Sequence, residues 1–145
     1  MSIRNIGFGI LLASAIFMFN SANAQAQHPY CTQALTELQE ARWVFLKHIE
    51  GKPMTHNEKE ALRTINETMR EINAASPGSA RKQNYQHAAN PGDDNAAVIS
   101  HCIDLIKKAK EDLSHEDDKF GDGLRNRTMK NCDDAIRFVK QAARS

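Results

Sequence analysis

The sequence predicts an all-α fold, a four-helix up-down bundle made of two antiparallel hairpins. Two observations carry this. From Arg127 to Ala143 the residues Met129, Cys132, Ile136, Val139 and Ala142 recur at three- and four-residue spacing, while Asp133, Asp134, Arg137 and Lys140 fill the opposite side. That is one apolar stripe and one wet face on a single helix. A matching register lies earlier in the chain, in Leu62, Ile65, Met69, Ile72 and Ala75. A helix with one stripe must bury it against other helices.

The first segment belongs to export rather than to the fold. Met1 to Ala24 carries one charge, Arg4, then an apolar run from Ile6 to Phe19, and ends in Ser21-Ala22-Asn23-Ala24. This is the pattern of a secretory signal peptide cut after Ala24. The run is about 14 residues, short of the roughly 20 that a spanning helix needs. Residues 25–145 then form the bundle: a hairpin over 29–76, a crossover loop over 77–95 and a second hairpin over 96–143. The expected location is the periplasm or the exterior, with no membrane insertion after the signal is removed.

The chain holds 19 basic and 18 acidic side chains. Arg4 leaves with the signal, so the mature chain is balanced. Nucleic acid and anionic lipid both call for a basic surplus, and neither is expected as a partner.

The first helix opens at His28-Pro29, where the missing N–H of proline is harmless. It sets Cys31, Leu35, Leu38, Ala41/Arg42, Phe45 and Ile49 on one face and stops at Gly51-Lys52-Pro53. The second opens on Thr55 and Glu58, spaced as a capping box, and ends before Pro77-Gly78. The third follows Asp93-Asp94-Asn95, any of which can cap it, and presents Val98, Ile99, Cys102, Ile106, Ala109 and Leu113. The fourth starts near Asp122-Gly123, with Phe120 placed to staple back onto it. Leu35, Leu38 and Ala41 lie over Ile103, Ile106 and Ala109 at nearly the offset that relates the second and fourth helices, which favours an ancient duplication over coincidence of period.

Three cysteines in an exported chain cannot all pair within one molecule. Cys102 and Cys132 both face the core, at similar distances from the turn near residue 117. A disulfide between them is expected, closing a loop of about 30 residues and adding roughly 3–4 kcal/mol in the chain-entropy account. Cys31 is then left as a buried thiol or a link between two copies. The rival reading keeps all three reduced as small core hydrophobes.

The sharpest ligand chemistry is metal binding. The chain has six histidines, and neutral imidazole is the commonest transition-metal ligand. His28 and Cys31 share a helix face at three-residue spacing and are candidates to meet His101 or His87. His115 lies in the acidic run Glu111 to Asp118, a candidate surface site. The opposing reading is a set of solvent-facing histidines at helix ends and in loops. Asp118 to Gly123 fails as a calcium loop, because Phe120 stands at a ligand position and no glutamate follows at the twelfth. Asp133 and Asp134 point about 100° apart on a helix and cannot act as paired carboxylates. No nucleophile with a base can be assembled from these motifs, so an enzyme is not expected. Trp43 and Tyr85 are the aromatic candidates for contact with a protein partner.

His28-Pro29-Tyr30, Ala34-Leu35-x-x-Leu38 and Ala41-Arg42-Trp43, with Gly123-Leu124-Arg125-x-Arg127 and Asp133-x-Ala135-Ile136-Arg137, resemble the first and last helices of a group of small exported proteobacterial proteins. That resemblance implies a four-helix bundle and an exported location, and it supplies no activity. The chain is also similar, more distantly, to the periplasmic small metal-binding protein, whose helices are densely studded with histidine. Here Ser100 and Asn131 stand at positions of that kind, a departure from its pattern. The expectation is therefore a non-catalytic exported bundle that contacts an unknown protein or a second copy of itself and needs no cofactor. The alternative is a periplasmic protein that binds a transition metal such as copper, nickel or zinc.

Overall fold

In a computed structural model the described residues are 28–77, 94–117 and 123–144. They form four α-helices: α1 (Pro29–Ile49), α2 (His56–Ala75), α3 (Asn95–Ser114) and α4 (Leu124–Ala142). Each spans roughly 30 Å at 1.5 Å per residue. The segment expected to be a signal peptide and Phe120 lie outside the described residues, as does almost all of the expected crossover loop.

The helix starts follow local chemistry. Thr55 and Glu58 form the expected capping box: the Glu58 N–H donates to Thr55 Oγ1 at 3.3 Å, and the Thr55 N–H donates to Glu58 Oε2 at 2.6 Å. Of the three residues that could cap α3, Asp94 does so, accepting from the Ala96 N–H at 3.1 Å. Gly123 opens α4 at φ 76°, a left-handed conformation that side chains with a Cβ resist. α1 has no cap of its own; His28, at the cap position, makes no side-chain bond to the helix it precedes.

The apolar stripes meet in one core. Phe45, Leu35, Leu38, Ile65, Ile72, Ile106, Leu113 and Val139 are among its fully buried members. On α1 it is Ala41 that is buried, whereas Arg42 is exposed. Two core positions are threonines, Thr68 and Thr128, each at 0% exposure. Their hydroxyls donate to the carbonyls of Thr64 and Leu124 one turn back, at 2.8 and 2.9 Å, which removes the cost of an orphaned polar group.

α1 packs most extensively on α3, and α2 on α4, with the hairpin partners α3–α4 and α1–α2 completing the square. His28 at the start of α1 meets Glu116 just beyond α3. Halfway along, the Cys102 thiol lies 3.5 Å from the Ala41 carbonyl. α1 and α3 are therefore antiparallel, and the helices run up, down, down, up. At the opposite end, His48, Thr55, Asn95 and Ala142 line a common cleft. The chain leaves α2 at one end of the bundle and enters α3 at the other. Among the described residues no helix is long and apolar enough to cross a membrane.

Candidate metal centre

The end of the bundle where α1 begins and α3 finishes gathers three side chains of different donor type. His28 Nδ1 lies 2.7 Å from Glu116 Oε1. The other carboxylate oxygen, Oε2, accepts from the Cys31 backbone N–H at 3.2 Å. The Cys31 side chain follows on the same helical face. One ligand atom from each of His28, Cys31 and Glu116 lies within 4.8 Å of the other two.

Each residue is held by its own element. Pro29 starts α1, so His28 stands at the helix edge and Cys31 within the first turn. Glu116 follows the last turn of α3, where its N–H donates to the Leu113 carbonyl at 3.2 Å. Its own carbonyl accepts from Arg125 Nη1 of α4 at 3.2 Å. α3 and α4 thus fix the backbone that delivers this carboxylate to α1. Glu116 is 4% exposed and Cys31 0%, while the His28 side chain, at 27%, forms the open edge.

Burial pushes the Cys31 thiol well above its ordinary range, and the charge and hydrogen bond of Glu116 push it further. A thiol in that setting is an inert core group unless a cation arrives to hold the thiolate. Imidazole nitrogen, thiolate sulfur and carboxylate oxygen are together a donor set for a borderline transition ion. Metal–ligand bonds of about 2.0–2.3 Å put neighbouring donors of a tetrahedral ion roughly 3.5–4 Å apart. The His28–Glu116 contact, at 2.7 Å, opens by roughly 1 Å to seat such an ion.

The sequence-derived set of His28, Cys31 and His101 is corrected in one member. His28 and Cys31 do come together, but His101 sits half-buried near the start of α3, roughly 20 Å along the axis from Glu116. The helix directions put it towards the other end of the bundle. Glu116 takes its place. His87 and Tyr85 lie outside the described residues. His115 turns its ring onto Tyr30, with centroids 5.5 Å apart, and Trp43 is half-buried against the core.

The expected bridge between Cys102 and Cys132 is also corrected. All three cysteines are free and buried. Cys102 turns towards α1, where its thiol donates to the Ala41 carbonyl, because α3 packs more extensively on α1 than on its hairpin partner. Burial pushes the thiols of Cys102 and Cys132 up to about 12.

The sequence around Glu116 carries a signal of its own. Acidic residues at a helix C-terminus oppose the macrodipole, and the run from Glu111 to Asp118 does so repeatedly. Such a run calls for a partner from elsewhere in the fold, and α1 supplies it. No protein-family model matches the chain, and no curated protein or solved structure matches it.

Proposed function

We propose that the chain is an exported helical bundle that binds one transition-metal ion between the start of α1 and the end of α3. The observation that carries this reading is the convergence of His28, Cys31 and Glu116 within 4.8 Å. A purely structural account gives Glu116 the role of a remote cap for α1. That account explains the bond to the Cys31 N–H, but it does not require a thiol and an imidazole beside the same carboxylate.

Thermal unfolding of the full chain with and without zinc tests the proposal. Binding to the folded state alone raises stability by RT ln(1 + [L]/Kd), about 2.7 kcal/mol at a hundredfold excess over Kd. His28→Ala leaves the bond from the Cys31 N–H to Glu116 in place but removes the partner of the other carboxylate oxygen, so this variant loses about 1–3 kcal/mol of metal-free stability and also loses the metal-dependent gain. The competing reading, a non-catalytic module for self-association or for a protein partner, predicts no response to metal in either protein. An equal gain in wild type and His28→Ala overturns the site.

A further inference from the structure

Building on the metal-binding reading, we infer that the ion is of the zinc class and keeps one coordination position open to a small Lewis base from solvent. The donor set excludes the hard cations first. Calcium and magnesium take oxygen ligands almost exclusively, whereas this trio offers one oxygen beside a sulfur and a nitrogen. Zinc accepts all three and is almost always four-coordinate.

Three of those four positions are filled by the described residues. The cluster contains no fourth His, Cys, Asp or Glu among the described residues. His115, next to Glu116 in sequence, turns its ring to Tyr30 and stands outside the trio. The opening also has a direction. Cys31 and Glu116 close the inner side at 0% and 4% exposure, while 27% of the His28 side chain meets solvent. A fourth ligand therefore approaches past the imidazole, as water in the resting state or as a neutral nitrogen base that displaces it. Closed four-ligand sites hold zinc for structure, and sites with three protein ligands leave it able to exchange or to bind.

The test uses cobalt(II) as a coloured stand-in for zinc in the full chain, with imidazole as the added base. Cobalt bound through Cys31 shows a near-ultraviolet thiolate-to-metal band that Cys31→Ser removes, together with visible ligand-field bands. The expected result is that imidazole shifts the ligand-field bands in a saturable, one-to-one titration while the thiolate band persists. Cobalt binding with the thiolate band but no response to imidazole overturns the open position and leaves the metal site standing. Loss of both bands on adding imidazole also overturns it, since the base then competes for the whole ion. Absence of any cobalt spectrum in the wild type, with zinc likewise failing to shift unfolding, removes the metal-binding reading itself.

Discussion

On the face that α1 turns towards α3, Glu37 holds a carboxyl whose Oε2 is buried without a hydrogen-bond partner. Burial, then the Asp112 carboxylate and its hydrogen bond, push this group from 4.5 up to about 7, with Lys108 pulling the other way and Glu111 adding to the rise. The folded chain keeps the proton up to about pH 7, whereas an unfolded glutamate releases it near 4.5. Folding thus binds a proton in that window. The contribution is complete below the unfolded value and is lost as the pH rises through the folded one. Glu37→Gln is neutral at every pH and keeps the shape, so the variant should lose this decline and be the more stable protein above about pH 7. Urea midpoints measured at about pH 4.5 and pH 8 check this, and a wild-type slope retained in Glu37→Gln would contradict it. The residue is a glutamate among many on wet helical faces, and its sequence carries no mark of the pairing. Only the antiparallel packing of α1 on α3 brings Asp112 against it.

At the scale of the helix, starts and stripes were legible wherever the chemistry is local. Thr55 and Glu58 belong to one turn, and their spacing alone specifies the box that the structure contains. Thr55→Ala should cost about 1 kcal/mol, read as a lower urea midpoint with an unchanged slope. A cost below a few tenths would mean that tertiary packing, not the cap, holds the start of α2. The start of α1 is different in kind. Its first-turn N–H at Cys31 is satisfied by Glu116, a residue that follows α3, and no reading of neighbouring residues can find such a cap. His28 and Cys31 were legible as a pair because they share one helix face. Glu116 was not, because its role needs the relative direction of two helices. The same gap explains the cysteines. Equal distance from a turn places Cys102 and Cys132 at one height, but which neighbour each faces depends on how α1 docks, and Cys102 faces α1.

Across the whole molecule α1 packs on α3 and α2 on α4, the pairs that the stripes lay over one another. The spacing that lays Leu35 over Ile103 also lays His28 over Ala96, Cys31 over Ile99, and His48 over Glu116. All three counterparts line the cleft at the opposite end of the bundle. That end holds a histidine, His48, whose Nδ1 is buried without a partner, while the positions matching the imidazole and the thiol hold alanine and isoleucine. One end of the frame thus lacks the thiol and the second nitrogen donor at the matching positions, and the other gathers nitrogen, sulfur and oxygen donors. The frame was visible in the periodicity, and the asymmetry became visible only once the helix ends were brought together. X-ray absorption at the zinc edge of the zinc-loaded full chain tests the central claim most directly. The account predicts one sulfur at about 2.3 Å with nitrogen and oxygen neighbours at about 2.0–2.2 Å, and loss of the sulfur in Cys31→Ser. A shell of nitrogen and oxygen alone in the wild type would contradict it and return Cys31 to the role of a buried core thiol.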